Sequence, residues 1–178
     1  MPAARPPPQP DRPLRLFLAL WPGPAVRLAL QARQSEWRWS DTAARVAPER
    51  LHLTLHFLGD VPRDRLPELR QGLQVDFARF ELVFAAAALW PRGVAVLLPT
   101  AAPPALLALH ADLKQALRSL RVPTEARTFR PHLTLARHAS GSQPPERMLP
   151  LRWGVRGYVL VSSERGQQSG YRIVARYA

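Results

Sequence analysis

An α+β fold with two similar lobes is the architecture that the sequence predicts, and three observations predict it. The chain has 178 residues, about one domain, and 47% of them are hydrophobic, which is enough for a sizeable core. The predicted strands follow the helices in groups rather than singly, which favours α+β over a doubly wound parallel sheet. One short segment recurs 80 residues later, after a helix and a polar connection in both cases, which indicates two related lobes.

Hydrophobic patterns predict about seven strands and three helices. Residues 14–21 form an apolar run closed by prolines, and residues 51–58 alternate with period two, so both are predicted strands. Leucines at spacings of three and four predict a helix from Pro103 to Leu120. The other predicted helices span 25–36 and 62–73, the other strands span 77–89, 93–98, 129–136, 158–163 and 171–177, and 40–49 and 140–150 are predicted connections.

The recurring segment carries two histidines on predicted strands. Residues 50–56 read Arg-Leu-His-Leu-Thr-Leu-His, and residues 130–136 read Arg-Pro-His-Leu-Thr-Leu-Ala. Because successive side chains of a strand alternate between its faces, His52 and Thr54 share one face, and His132 and Thr134 repeat the arrangement. Two lobes related by a rough two-fold would therefore present two imidazoles and two hydroxyls across a cleft.

This arrangement suits phosphoryl transfer by acid–base catalysis. A neutral imidazole takes a proton from the nucleophile while a protonated one gives a proton to the leaving group. Both states are accessible near neutral pH because the ordinary pKa of histidine is about 6.5. One His-x-Thr motif alone is most simply an ordinary half-buried strand, whereas two matched copies favour a catalytic pair.

Composition narrows the kinds of site that the chain can hold. It has no cysteine, which removes disulfides, cysteine nucleophiles and thiolate metal ligands. Lys and Arg total 25 against 13 Asp and Glu, and the resulting net charge of +12 favours a polyanionic partner such as RNA. His52 and His56 lie about 13 Å apart on an extended strand, too far to hold one ion. We therefore expect no metal and no cofactor.

The paired motifs resemble the two-histidine phosphoesterases, and among them the LigT-like RNA 2′,3′-cyclic phosphodiesterases, also called 2′-5′ RNA ligases. The resemblance rests on residues 51–60 and 129–137, on the opening strand at 15–20 and on the closing hairpin from Tyr158 to Arg172. It covers residues 14–178. It implies a bilobal α+β fold in which antiparallel sheets line a central cleft and helices lie outside.

The resemblance also implies an activity and a role for each site residue. The family opens a terminal 2′,3′-cyclic phosphate on RNA and leaves a 2′-phosphate. By the family pattern His52 is the proton donor to the departing 3′ oxygen, and His132 is the proton acceptor that activates water. Thr54 and Thr134 bind the phosphate, and Arg137 stabilises the charge of the transition state.

For two residues beside the motifs, the direction of the side chain depends on how regular the strands are. Arg137 has the opposite parity to His132, so in a regular strand it points away from the cleft, and its implied role requires the strand to end or bulge near Ala136. We expect such an irregularity. His56 has the parity of His52 and is expected to line the cleft, whereas His110 is expected to pack on a helix face.

Other functions stay open on the sequence alone. The same residues would serve the reverse reaction, in which a 5′-hydroxyl replaces water and a 2′-5′ linkage forms. A small cyclic nucleotide could replace the RNA end. A basic RNA- or nucleotide-binding module without turnover is a further alternative, but a pure binder has no need of two matched imidazoles.

The N-terminal segment completes the predicted organisation. Residues 1–13 contain six prolines and are expected to form a flexible tail before a single domain at 14–178. No apolar run reaches the ~20 residues of a membrane span, and the stretch after the tail is too short and too proline-flanked for a signal peptide. We expect a cytoplasmic monomer whose partner is RNA with a 2′,3′-cyclic phosphate end.

Overall fold

The computed structural model describes residues 12–163 and 170–178, and these contain three α-helices and nine strands. The helices are α1 (Pro24–Ser35), α2 (Leu66–Gly72) and α3 (Pro104–Ser119). The strands are β1 (Leu14–Leu20), β2 (Ala44–Arg45), β3 (Leu53–Val61), β4 (Phe80–Trp90), β5 (Val94–Pro99), β6 (Leu133–Arg137), β7 (Leu151–Val155), β8 (Tyr158–Ser163) and β9 (Tyr171–Tyr177). No helix in these two ranges is long and apolar enough to cross a membrane.

All nine strands belong to one antiparallel sheet that consists of two halves. Its order is β7-β4-β5-β6-β3-β1-β8-β9, with β2 paired to β6 beside this path. We call β3, β1, β8 and β9 half-sheet A, and β6, β5, β4 and β7 half-sheet B. The two halves meet where Leu53 of β3 lies opposite Leu133 of β6. The predicted pair of antiparallel lobes is therefore confirmed.

The helices cover one face of the sheet and leave the other face to the cleft. The main core joins β1 and both motif strands to the apolar stripes of α1 and α3, including Leu30, Leu106, Leu109, Leu113 and Leu117. Each leucine buried in this way contributes roughly 1.5–3 kcal/mol. On the opposite face of half-sheet A lies a second cluster, formed by Phe17, Ala19, Val159 and Val161 with Trp21, Tyr171 and Ile173 against it. We call this side the cleft face.

The two lobes are not successive halves of the chain. A strand, a helix that begins with proline and a motif strand occur in this order twice, as β1, α1 and β3, with β2 between α1 and β3, and as β5, α3 and β6. In both cases the first strand pairs directly with the motif strand. However, β8 and β9 return from the C-terminal end of the chain to complete half-sheet A. The repeat therefore lies in this strand–helix–strand unit, and the outer strands of each lobe come from different parts of the sequence.

The sequence patterns did not predict two of the strands, and several elements begin or end at residues other than those predicted. Strand β2 has two residues, too few to show a period, and lies in the predicted connection at 40–49. Strand β7 alternates buried and exposed residues, a pattern that the proline-rich loop before it obscured. The predicted helix at 62–73 is a 3-10 turn (Arg63–Arg65) followed by α2. Strand β6 begins at Leu133 rather than 129, after Pro131, which has no N–H to pair.

Two pairs of neighbouring strands form hairpins, β4 with β5 and β8 with β9. In the turn between β4 and β5, Arg92 and Gly93 both have positive φ, and a Cβ on Gly93 would lie 2.7 Å from the backbone nitrogen of Ser140. Strands β8 and β9 pair as predicted, and residues 164–169 of their turn lie outside the described residues. The predicted tail also lies outside them, apart from Arg12 and Pro13.

Candidate active site

Both motif strands contain a β-bulge at the same position of the repeat. On β3, Thr54 pairs with Ala19 and His56 pairs with Leu18, so Leu55 is an extra residue. On β6, Thr134 pairs with Val96 and Ala136 pairs with Ala95, so Leu135 is an extra residue. A bulge reverses the alternation of faces beyond it, because two residues on one strand oppose a single residue on its partner.

The bulge in β3 turns His56 away from the cleft, so the expectation for this residue was wrong. Directly opposite residues of an antiparallel pair share a face, and His56 lies opposite Leu18 of the core. Its side chain is 7% exposed, its Nε2–H donates to the carbonyl of His110 at 2.8 Å, and its ring stacks on the His110 ring at 4.0 Å. His110 stacks in turn on Phe129 at 3.9 Å, so its predicted packing role is confirmed.

The bulge in β6 has the same effect on its strand, and it brings Arg137 to the cleft face. Leu135 and Ala136 both lie in the main core, so the next residue returns to the cleft face. Arg137 is exposed, pairs with Ala44 of β2 through its backbone, and carries a charge that lowers the pKa of both His52 and His132. The irregularity expected near Ala136 is present, and it removes the conflict between strand parity and the resemblance.

The two motifs meet around the pair formed by Leu53 and Leu133. Since their strands run in opposite directions, His52 lies beside Thr134 and Thr54 lies beside His132, all on the cleft face. The histidines are therefore diagonal neighbours, and residues in this relation across an antiparallel pair are about 7–8 Å apart. That spacing leaves room for one tetrahedral phosphate between the two imidazoles.

A backbone carbonyl orients each imidazole. Nδ1 of His52 lies 2.6 Å from the carbonyl oxygen of Arg50, and Nδ1 of His132 lies 2.7 Å from that of Arg130. A carbonyl oxygen only accepts, so Nδ1–H is the donor in both rings. In the neutral state, Nε2 of each ring therefore carries the free lone pair.

Aromatic rings enclose His52. Trp21 stacks on its imidazole at 5.3 Å and 8°, Phe17 lies 5.0 Å away, and Tyr171 presents its edge at 5.4 Å. The guanidinium of Arg50 lies 4.4 Å from the centre of the Tyr171 ring. Burial lowers the pKa of His52 to about 4, against the raising effect of its carbonyl partner, and the charge of Arg137 adds to the lowering.

His132 has a more open version of the same surroundings. Trp90 lies 4.6 Å from its ring, and the guanidinium of Arg130 lies 5.0 Å from the centre of the Trp90 ring. Burial also lowers the pKa of His132, and the charges of Arg127 and Arg137 act in the same direction. Both imidazoles are therefore neutral near pH 7 in the free protein.

Sequence reasoning placed the histidines and threonines but missed the arginine–aromatic pairs around them. The repeated Arg-x-His pattern at Arg50 and Arg130 was one available signal. A second was the alternation along β1 and Trp21 just after it, which puts Phe17, Ala19 and Trp21 on the face opposite the core leucines of β1. His138 is exposed and has a positive φ just beyond β6, in keeping with its place at the strand end.

The donor groups do not form a metal site in the part of the chain that the structure describes. No group of three or more His, Cys, Asp or Glu side chains comes together there. The side chains that do converge on the cleft are imidazole, hydroxyl and guanidinium, which bind and protonate oxyanions. The fold and the paired imidazoles thus define a two-histidine phosphoesterase of the LigT-like kind.

Comparisons with known proteins agree with this class. The sequence model described as "2′-5′ RNA ligase superfamily" matches residues 26–167. This chain belongs to that superfamily. It is 33% identical over 168 residues to the RNA 2′,3′-cyclic phosphodiesterase of Thermus thermophilus, covering 85% of this chain and 82% of the relative.

Solved structures share the fold across nearly the whole chain. A crystal structure described as a phosphoesterase is similar with a TM-score of 0.83 and 26% identity, covering 93% of this chain and 98% of that chain. Apo Escherichia coli LigT is similar with a TM-score of 0.79 and 26% identity, covering 94% of this chain and 98% of that chain. The bilobal architecture is therefore that of these enzymes.

Proposed function

We propose that this protein is an RNA 2′,3′-cyclic phosphodiesterase that leaves a 2′-phosphate. The observation that carries the proposal is the pair of imidazoles on the cleft face, each with Nδ1–H bonded to a carbonyl and Nε2 free. The 33% identity to the Thermus phosphodiesterase, named for this activity, supports the same substrate class. The net charge of +12 suits an RNA end rather than a neutral ligand.

The reaction needs two proton transfers, and the cleft has one imidazole for each. Neutral His132 takes a proton from water through Nε2 as the water oxygen bonds to phosphorus. The bond from phosphorus to O3′ breaks, and protonated His52 gives O3′ a proton through Nε2. The product carries a 2′-phosphate and a free 3′-hydroxyl, and one proton exchange with solvent restores the starting states.

The remaining polar groups would bind the phosphate oxygens. Thr54 and Thr134 each lie beside a histidine, and their hydroxyls donate to the non-bridging oxygens. Arg137 adds a guanidinium, whose planar fork suits a phosphate that gains negative charge in the transition state. These hydrogen bonds strengthen as charge develops, which is the condition for accelerating the chemical step.

The lowered pKa values imply that substrate assists the protonation of its own acid. In the free site, burial and Arg137 keep His52 neutral near pH 7. The anionic cyclic phosphate offsets the charge of Arg137 and favours the imidazolium, so the pKa of His52 rises when substrate binds. The same anion also raises the pKa of His132, so the assignment of His52 as acid and His132 as base follows the family pattern and not these shifts.

Metal independence and a monomeric, cytoplasmic state form part of the same proposal. Two imidazoles, two hydroxyls and one guanidinium supply the acid, the base and the charge stabilisation in a single chain. No step of the scheme uses a divalent ion, so chelation should leave the rate unchanged.

The test is incubation of purified protein with a short RNA ending in a 2′,3′-cyclic phosphate, in the presence of EDTA. Mass spectrometry should show the gain of one water, and the new phosphate should be at the 2′ position. Adding an RNA with a 5′-hydroxyl tests the reverse reaction through the appearance of a longer, 2′-5′-linked product. An unchanged cyclic end, or a rate restored only by a divalent ion, would contradict the proposal.

A further inference from the structure

Gln34, near the end of α1, is a buried polar residue whose side chain bonds to the backbone of two other segments. It is one of the few buried polar residues among those described, with 6% of its side chain exposed. Its Nε2 donates to the carbonyl of Leu135 at 2.8 Å and to the carbonyl of Val46 at 2.9 Å. A buried amide is tolerated only when its hydrogen bonds are made. The two acceptors of Gln34 are 101 and 12 residues away from it in the sequence.

The acceptor in the first of these bonds is the extra residue of the β6 bulge. The Leu135 carbonyl also accepts from the backbone N–H of Val46 at 2.8 Å. The bulge takes Leu135 out of the ladder with β5, so the hydrogen bonds at its carbonyl come from Val46, which continues the β2–β6 register, and from Gln34.

The hydrogen bond from Gln34 to the Val46 carbonyl links the bulge to the end of β2. Val46 directly follows β2, whose residues Ala44 and Arg45 pair with Arg137 and Ala136 of β6. Gln34 thus joins three segments: the helix, the bulge and the short strand along which Arg137 lies. β2 has only two residues and would pair weakly without further support.

We propose that Gln34 is a positioning residue for Arg137: by clamping the Leu135 bulge to the end of β2, it holds the guanidinium of Arg137 on the cleft face. Without the clamp, β6 can relax toward a regular strand, in which residue 137 faces the core side. The inference rests on the proposed function for its kinetic consequence, since Arg137 is there the group that stabilises the transition state.

The variant that tests this is Gln34→Met, which keeps the length of the side chain and removes both donors. Loss of alignment at the phosphate should lower kcat/KM on a cyclic-phosphate RNA between about tenfold and a hundredfold, with most of the loss in kcat. In an Arg137→Ala background, Gln34→Met should cause almost no further loss, because the group that it positions is absent. If the two losses multiply instead, the proposal is overturned.

Leu30→Ala is the matched control for a merely structural effect. Leu30 lies on the same helix, one turn before Gln34, and is fully buried in the core. Leu30→Ala should lower the melting temperature at least as much as Gln34→Met, yet retain the pH profile of the wild type. If Leu30→Ala and Gln34→Met change the profile equally, Gln34 has no specific role.

A second measurement does not depend on the reaction. The charge of Arg137 lowers the pKa of both His52 and His132, so withdrawing it should raise both. The pKa values of His52 and His132, measured by NMR titration of their imidazole protons, should therefore rise in Gln34→Met as they do in Arg137→Ala. Unchanged pKa values in Gln34→Met would overturn the proposal, whatever the substrate is. If the pKa values rise but the wild type does not turn over the RNA, only the proposed function is rejected.

Discussion

Leu55 and Leu135 occupy the same position in the two repeats, and each is the extra residue of a β-bulge. The bulges have the same geometric consequence, but different residues stand beyond them. The next residue, His56 or Ala136, faces the core, and the one after it, Phe57 or Arg137, returns to the cleft face. The repeated unit therefore includes an irregularity of the strand as well as a set of residues, and the single arginine makes a nearly two-fold site asymmetric.

Replacing either His52 or His132 tests the proposed catalytic pair. His52→Ala and His132→Ala should each lower kcat by about 10²–10⁴-fold, because each removes one proton transfer. The double variant should be little worse than either single one, since the two groups act as a unit. Rates on one cyclic-phosphate RNA, with circular dichroism as the check on folding, provide the measurement. Near-normal turnover by either single variant would remove that histidine from the mechanism.

Arg137 should affect both the rate and its pH dependence. Arg137→Ala should lower kcat more than it raises KM, and Arg137→Lys should recover only part of the loss, because lysine keeps the charge without the planar fork. Its charge lowers the pKa of both histidines, so its removal should move the bell-shaped profile of kcat/KM toward higher pH.

The control for this change is Arg118→Ala, an exposed position on α3 behind the sheet. This variant should leave the pH profile of kcat/KM unchanged and alter only the salt-sensitive affinity for RNA. If Arg137→Ala behaves like Arg118→Ala, the guanidinium does not reach the phosphate.

The aromatic enclosure of His52 should be visible in its titration. Burial is the largest cause of its lowered pKa, and Trp21 stacks directly on the ring. Trp21→Ala admits water and should raise the pKa of His52 from about 4 toward the ordinary value, as measured by NMR. Trp90→Ala is the counterpart in the other lobe and should act on His132 alone. Equal shifts at both histidines in either variant would show that the rings are not separate enclosures.

Stability should decrease in mild acid. The pKa values of His52 and His110 are lowered to about 4, and those of His56 and His132 are lowered as well. Below the ordinary value of about 6.5 the unfolded chain therefore binds more protons than the folded one, so the free energy of unfolding falls as pH decreases toward about 4.

The stacked pair of histidines in the core allows a specific check of this pH dependence. His110→Phe keeps a ring against His56 and Phe129 but cannot bind a proton. Its melting temperature should depend less on pH between 6.5 and 4 than that of the wild type. An identical dependence in the two proteins would mean that this pair does not contribute to acid lability.

The sequence by itself determined the class of fold and the two histidines that we propose as the catalytic pair. The repeat at residues 50–56 and 130–136, with its period-two alternation, places His52 with Thr54 and His132 with Thr134 on one face of their strands. The alternation holds there because both pairs precede the bulge, where the strand is still regular. The leucine stripe of α3 likewise predicted the core, because a helix buries whatever recurs at its own period.

Only the tertiary structure decided what happens beyond each bulge and which strands complete each lobe. A bulge depends on partners far along the chain: Gln34 and Val46 bind the Leu135 carbonyl, and no local pattern at 133–137 predicts them. The aromatic rings around His52 come from β1, from Trp21 just after it and from β9, which are brought together by long-range pairing. Local periodicity specifies the face of a regular strand, whereas departures from regularity are set by non-local hydrogen bonds and packing.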